Sequence, residues 1–178
     1  RMDTSQVIIN EERPQLTKHM STRFKEKIGQ NVNLLGEVVL GNEEADHRYH
    51  HYLEALESPD INYISVKISG IYAQTHALNY EESFPELVSR MSALYQKAID
   101  FPYTDEDGIK RSKFINLDME EYKDAHFTLR LFKAVLNLPQ FKNYSAGIVV
   151  QAYLPDAYDF QTELLEFAKA RIDGGGAP

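Results

Sequence analysis

The stretch YISVKISGIY, residues 63–72, decides the fold because it has the alternating pattern of a strand with two unlike faces. Ile64, Val66 and Ile68 occupy alternate positions on one face, and the residues at 63, 65, 67 and 69 share the other, more polar face. Lys67 lies on the polar face, in the middle of a run that is otherwise typical of a buried strand. Since a buried ammonium needs compensating groups, the sequence predicts that carboxylates or a bound anion lie near Lys67.

Composition limits the classes of protein to be considered. The chain has 178 residues, enough for one domain with a real core, and a net charge of −8. That charge argues against a nucleic-acid partner, because such proteins concentrate cations. The absence of cysteine removes disulfides, thiolate metal sites and cysteine nucleophiles. Apolar runs are too short to cross a bilayer and no signal segment is evident, so we expect a cytoplasmic protein.

Strand-like runs alternate with helical patterns along the chain. The four runs are NVNLLGEVV from Asn31, the stretch at 63–72, KFINLDM at 113–119 and AGIVVQAY at 146–153. Helical spacing predicts one helix ending at Gly29, a second from Asn42 to before Pro59, a third over 81–100, and one after each of the last two strands. The segment PYTDEDGIKRS at 102–112 is interpreted as a charged loop.

Strand followed by helix, repeated four times, predicts an α/β fold with a parallel sheet and right-handed crossovers. A doubly wound sheet is the alternative within this class. Such sheets usually carry a glycine-rich phosphate turn after the first strand, and Gly36 followed by Glu37 is not one. The sequence therefore favours a barrel of the TIM type.

Each predicted strand carries a hydrogen-bonding or charged residue near its carboxyl end. These residues are Glu37, Lys67, Asp118 and Gln151, one on each of the four strands in order. In a parallel barrel, inward residues at this end of the strands line the active site, so the four side chains are expected to converge. The structural alternative is an internal salt bridge from Lys67 to Asp118 or Glu37 that only fills the core.

Two weaker signals favour solvent-exposed structure. His47 and His51 are four residues apart with Glu54 one turn later, a spacing that a metal could use, but none of them lies on the apolar stripe of the predicted helix. The acidic run at 104–108 lacks the later glutamate of a calcium loop, so we interpret it as a solvated connection. No metal site is predicted.

Five segments resemble the proline dehydrogenase domain of the bifunctional bacterial proline utilisation A flavoenzymes. They are NVNLLGEVVLG, YISVKISGIY, FINLDMEEYKD, GIVVQAYLPD and the closing ARIDGGGAP, and they run in the family's order from about residue 31 to 178. The resemblance implies a distorted α/β barrel that binds FAD without covalent attachment. It also implies oxidation of L-proline to Δ1-pyrroline-5-carboxylate by hydride transfer to the flavin, with quinone as the electron acceptor.

The resemblance also implies roles for single residues. Lys67 and Asp118 are the implied catalytic residues, and Lys67 contacts the proline carboxylate. Glu37 is similar to the carboxylate that orients a substrate-binding arginine. The implied flavin neighbours are Asp118, Met119, Val149 and Gln151. Asn33 stands where many members have aspartate, and Met119 where many have alanine, so this sequence departs from the family at two site positions.

The family's next strand and last helix supply an arginine, a lysine-glycine segment and an arginine pair, and these are not in this sequence. We therefore expect residues 1–30 to form an N-terminal arm and helix, and 31–178 to form the first four βα units of a truncated barrel. A half barrel has two open sheet edges, so we expect the isolated chain either to form homo-oligomers through those edges or to rearrange its terminal elements over the apolar surface. Because half of the cofactor contacts that the resemblance implies are missing, we also expect the isolated chain to hold no flavin and to have no activity. Because quinone is the implied electron acceptor, the surface of the inner membrane is a second expected location of the protein, beside the cytoplasm.

Two functions of other classes stay open from the residues alone. The first is a non-catalytic interaction module in which the exposed sheet edge binds a protein partner. The second is a barrel enzyme in which Lys67 acts as a Schiff-base nucleophile beside Asp118. Borohydride trapping with a carbonyl substrate separates the second from a flavoenzyme.

Overall fold

The structure is a computed structural model that describes residues 13–34, 41–73 and 80–178. Helices and strands alternate along the chain. The helices are α1 (Arg13–Lys25), α2 (Asn42–Glu57), α3 (Tyr80–Asp100), α4 (Ala125–Leu136) and α5 (Ala157–Asp173). The strands are β1 (Val32–Asn33), β2 (Tyr63–Lys67), β3 (Tyr103–Thr104), β4 (Lys110–Arg111), β5 (Phe114–Asp118) and β6 (Gly147–Ile148).

Four strands form one parallel sheet in the order β1-β2-β5-β6. The predicted α/β class with four parallel strands is therefore confirmed. The register places Asn33 beside Ser65, Ser65 beside Asn116, and Asn116 beside Gly147. One row of polar and small residues thus crosses the whole sheet on a single face, as the period of two requires.

The opposite face of the sheet packs on helices. Ile64, Val66, Ile115 and Leu117 are fully buried and belong to the main hydrophobic core. α3 contributes residues at helical spacing to this core: Leu87, Met91, Leu94, Tyr95 and Ala98. α2 packs against α3, and α3 packs against α4. The helices therefore cover the apolar face and leave the polar row to the other side.

The helix predictions agree with the structure except at the end of α1. That helix ends at Lys25 rather than Gly29. Lys27 has a positive φ of 60°, and the backbone N–H of Ile28 donates to the carbonyl of Arg23 at 3.0 Å. This is a Schellman-type turn, which ends many helices. Its left-handed residue is Lys27, two residues before Gly29.

The interpretation of residues 102–112 as a plain loop is wrong, because β3 and β4 pair there as an antiparallel hairpin. Asp105 organises its turn: one carboxylate oxygen, Oδ1, accepts from the backbone N–H groups of Asp107 at 3.0 Å and Ile109 at 2.8 Å. The other oxygen accepts from the Arg111 guanidinium, and this hydrogen bond is the largest cause of the lowered pKa of Asp105. Asp105 thus stabilises the turn between β3 and β4.

The fourth strand is shorter than predicted. β6 covers Gly147–Ile148, whereas the prediction covered 146–153. Beyond it, the backbone N–H of Val149 still donates to the Leu117 carbonyl at 2.9 Å. Since β5 ends at Asp118, the chain after Val149 has no further strand to pair with in the described part of the sheet.

Candidate active site

The carboxyl ends of β2 and β5 bring together a cation and an acid. Lys67 and Asp118 are the last residues of these two strands and are directly opposite each other in the parallel register. Both side chains lie on the face opposite the hydrophobic core, where they are half-buried. The predicted convergence of Lys67 and Asp118 at one end of the sheet is therefore present.

Among the residues that the structure describes, Glu120 is the acid nearest to the Lys67 ammonium, and the strand pattern does not point to it. Lys67 Nζ lies 3.9 Å from Oε1 of Glu120, and the other carboxylate oxygen of Glu120 accepts from the Ser69 backbone N–H at 3.3 Å. Glu120 follows β5 by two residues, so it lies beyond the strand pattern from which the candidates were chosen. Its place in the quoted segment FINLDMEEYKD was the signal available in the sequence.

Asp118 is held from its own strand. The side-chain amide of Asn116 donates from Nδ2 to Asp118 Oδ1 at 2.9 Å, and Asn116 is only 8% exposed. Gly147 is opposite Asn116 on β6, where an added Cβ would lie 2.6 Å from Asn116 Oδ1 and 2.9 Å from Phe114 Cε1. The missing side chain of Gly147 therefore gives Asn116 the room in which it orients Asp118.

Gln151 joins the loop after β6 to the loop after β5. Its Nε2 donates to the backbone carbonyls of Met119 at 3.2 Å and Glu120 at 3.1 Å. Two carbonyl partners require the NH₂ group on this side, which directs the amide oxygen of Gln151 away from them. Gln151 therefore offers an acceptor, rather than a free donor, to a ligand at this end of the sheet.

The other predicted site residues differ in their placement. Met119 is 5% exposed and packs with Ala125, Leu129 and Phe160 between the sheet and the last two helices. Val149 is 37% exposed at the end of β6. Glu37 lies outside the described residues.

A buried tyrosine lies behind the lysine. Tyr52 of α2 is fully buried, and its hydroxyl would lie 2.9 Å from a Cβ placed on Gly70, three residues after Lys67. Burial raises the pKa of the Tyr52 phenol, and the negative charges of Glu120 and Asp118 act in the same direction. The phenol is therefore neutral at physiological pH and adds no charge to the site.

An apolar groove follows the outer side of β6 and α5. We call it the β6 groove; its volume is about 660 Å³. The residues that line it include Ile148, Val150, Tyr158, Leu164 and Leu165. Among the described residues, β6 pairs with β5 only, so its outer edge and this groove are open together.

The rings of His47 and His51 contact each other at an interplanar angle of 50°, with centroids 4.3 Å apart, and no group of three or more potential metal ligands occurs in the described ranges. None of the helices described in the structure is long and apolar enough to cross a membrane.

The arrangement suits the binding of a small zwitterion. An ammonium next to two carboxylates, Asp118 and Glu120, offers one partner for a ligand carboxylate and two for a ligand amine. The charge of Lys67 and the amide oxygen of Gln151 can fix the orientation of a bound ligand. Neither group is a nucleophilic hydroxyl or thiol. The site therefore defines an α/β protein whose parallel sheet carries, at its carboxyl end, charged groups that suit a small zwitterion.

Comparison with known families agrees with this class. The sequence model of the proline dehydrogenase family matches residues 16–176. The chain belongs to the proline dehydrogenase family. The expected resemblance is thus confirmed, and the four-stranded sheet with its helices matches the barrel domain of proline utilization A proteins.

Solved structures of proline utilization A superpose on this chain. The protein from Corynebacterium freiburgense has 38% identity and a TM-score of 0.87, covering 98% of this chain and 17% of its own. The protein from Bdellovibrio bacteriovorus, inactivated by N-propargylglycine, has 29% identity and a TM-score of 0.74, covering 87% and 18%. A Bradyrhizobium japonicum structure with 21% identity and a TM-score of 0.67 supports the fold alone. No curated protein matches the sequence.

Proposed function

We propose that this chain forms the first half of the catalytic barrel of an FAD-dependent L-proline dehydrogenase. In this proposal, residues 1–30 are an N-terminal arm and residues 31–178 are the first four βα units. The observation that carries the proposal is the grouping of Lys67, Asp118 and Gln151 at the carboxyl end of a parallel sheet, in a member of the proline dehydrogenase family.

Lys67 is the proposed partner of the proline carboxylate. Its ammonium is half-buried beside Glu120, so it can form a charge-assisted hydrogen bond to an incoming carboxylate. Asp118 is placed to attract the secondary ammonium of proline, and its orientation is set by Asn116. These residues hold the ring with C5 exposed for oxidation, which is a positioning role. Glu37 has the proposed role of orienting a substrate-binding arginine.

The residues present fit a flavin at this end of the sheet. Gln151 offers an amide oxygen, Val149 an exposed apolar surface, and Asp118 a fixed carboxylate. Met119 contributes its backbone, since its side chain is packed among α4 and α5 residues. FAD would supply the two-electron acceptor that converts L-proline to Δ1-pyrroline-5-carboxylate. Quinone is the proposed final acceptor, used in the cytoplasm at the surface of the inner membrane.

The full-length gene product tests this function. L-proline added to protein reconstituted with FAD is expected to bleach the flavin absorbance, and a soluble quinone is expected to restore it. Glycine, which has the carboxylate but no ring, serves as the matched ligand control. A flavin spectrum unchanged by L-proline would contradict the proposal.

The isolated 178-residue chain is proposed to be inactive. It spans 17% of the C. freiburgense protein, and its four described strands form a sheet with β1 and β6 at the edges. In this proposal, a cofactor bound to the isolated chain would be contacted from one side of the barrel. We expect a colourless preparation without proline oxidation, and a yellow preparation with a flavin spectrum would contradict this. The same open edges support a homo-oligomer of the isolated chain.

A further inference from the structure

Glu120 connects the carboxyl ends of three neighbouring strands. Its Oε1 lies 3.9 Å from Lys67 Nζ, and its Oε2 accepts from the Ser69 backbone N–H after β2. Its backbone carbonyl accepts from Gln151 after β6. The two oxygens of the Glu120 carboxylate thus have different neighbours, with Oε1 toward the Lys67 ammonium and Oε2 on the Ser69 N–H.

Within the described part of the chain, the contact with Glu120 is the one ion pair of Lys67, and its length leaves room for a stronger partner. Charge-assisted hydrogen bonds between an ammonium and a carboxylate are about 2.7–2.9 Å long, well below the 3.9 Å observed here. The side chains of Lys67 and Glu120 are 35% and 30% exposed, so a ligand can reach the ammonium from solvent. A carboxylate that bonded Lys67 directly would lie near the negative charge of Glu120.

We propose that Glu120 is a competing counter-ion for Lys67, which holds the ammonium before substrate binds and weakens the binding of the substrate carboxylate. This rests on the proposed function, because it assumes that Lys67 takes the carboxylate of an amino-acid substrate. Two like charges on one ammonium, both in reach of solvent, repel each other moderately. Removal of the Glu120 charge therefore tightens binding by about three- to tenfold.

Glu120→Gln tests the proposal in the full-length gene product. Glutamine keeps an oxygen for the Ser69 N–H and removes the charge. The probe is cyclopentanecarboxylate, a proline analogue that cannot form an imine, with its dissociation constant measured by calorimetry. We expect about three- to tenfold tighter binding of this amine-free carboxylate in E120Q and in E120A. Unchanged or weaker binding would overturn the proposal.

Two controls separate charge at this position from charge in general. Glu121→Gln makes the same change one residue away, where the carboxylate pairs with Lys123 at 2.9 Å, and it is expected to leave the affinity unchanged. In a Lys67→Met background, Glu120→Gln is expected to give no tightening, because the shared partner is gone. Equal tightening by E121Q, or tightening without Lys67, would overturn the proposal.

The experiments distinguish a failure of the proposed enzyme function from a failure of the proposed role of Glu120. If L-proline leaves the flavin unreduced while E120Q still tightens cyclopentanecarboxylate binding, the enzyme assignment is wrong and the counter-ion role is correct for another carboxylate ligand. If L-proline is oxidised and E120Q has the parent's affinity, the counter-ion role is wrong. If the wild-type protein does not bind the carboxylate, the proposed role of Glu120 is overturned.

Discussion

Lys67 and Asp118 are cross-strand partners at the carboxyl ends of β2 and β5, two neighbouring parallel strands. The backbone ladder fixes this relationship, so it does not depend on the rotamer of either side chain. The ladder also places both residues on the face opposite the hydrophobic core. A cation and an acid are therefore held at one end of the sheet before any ligand arrives.

Lys67→Met in the full-length gene product is expected to raise the KM for L-proline by roughly 10- to 100-fold, with a smaller effect on kcat. Loss of one charge-assisted hydrogen bond to a carboxylate accounts for this range. Steady-state kinetics with quinone as acceptor measure both constants. Lys123→Met, which removes an exposed lysine of the neighbouring loop, is the control and should leave KM unchanged. An unchanged KM in K67M would remove Lys67 from the substrate site.

The sequence predicts more of the sheet than of the site. Alternation of Ile64 and Val66 with polar residues is a local property, so it identified the start of β2 and the face of Lys67 correctly. The predicted run to residue 72 was too long, because the strand ends at Lys67 and a 3-10 helix follows over Ile68–Gly70. The role of Glu120 could not be predicted in this way. Its carboxylate reaches Ser69, a residue 51 positions away, through a loop whose path is set by tertiary packing. Likewise, the hairpin of β3 and β4 depends on a short turn around Asp105, and the alternation of apolar and polar residues does not predict such a turn.

Gly147→Ala is expected to disturb the site from the neighbouring strand. The new Cβ would lie 2.6 Å from Asn116 Oδ1, which is closer than such contacts occur, so Asn116 must move and release Asp118. We expect a loss of about 1–3 kcal/mol in the free energy of unfolding. Urea denaturation of the isolated chain measures it. Gly29→Ala is the control, because nothing lies within 4 Å of a Cβ there. Equal stability of G147A and wild type would contradict the crowding argument.

The open edge of the sheet predicts self-association of the isolated chain. The β6 groove is apolar, and Leu165 in it is 63% exposed. A second copy can cover this surface and pair with the free edge of β6. Light scattering is expected to show a species larger than a monomer, and Leu165→Glu should shift it toward the monomer. Ile172→Glu, on the same helix but outside the groove lining, should have less effect. A compact wild-type monomer would contradict this prediction.

The buried amine of Lys113 is expected to make the free energy of unfolding depend on pH. Its side chain is 2% exposed and donates to the Ser58 carbonyl at 2.5 Å, and burial lowers its pKa from 10.5 to about 8. Between these values the unfolded chain binds a proton that the folded chain does not, so stability rises with pH from about 8 to 10.5. By pH 9.5 the gain is about 2 kcal/mol. Below pH 8 the cost of burying the charged amine is constant.

The measurement compares urea midpoints of wild type and Lys113→Met from pH 7 to 9.5. The difference between the two proteins removes the contributions of other groups that titrate in this range. Wild type is expected to gain stability relative to K113M as pH rises. Lys110→Met, at an exposed position of β4, should follow the wild-type curve. Parallel curves for wild type and K113M would show that the Lys113 amine titrates alike in both states.

Arg171 holds the last helix to the rest of the fold. Its guanidinium donates to the backbone carbonyls of Leu136, Phe141, Tyr144 and Ala177, and it packs over the Phe167 ring at 5.8 Å. Leu136 is the last residue of α4, so the cation lies at the negative end of that helix. A lysine carries its donors on one atom and cannot reach carbonyls that lie in several directions.

Arg171→Lys is therefore expected to destabilise the chain by about 2–4 kcal/mol, the cost of leaving several carbonyls without their charged donor. The free energy of unfolding in urea measures the loss. Lys169→Met, two residues away at an exposed position of the same helix, should change stability by less than about 0.5 kcal/mol. If R171K were as stable as wild type, the carbonyls would be satisfied by solvent and the guanidinium would not be what joins α5 to the end of α4.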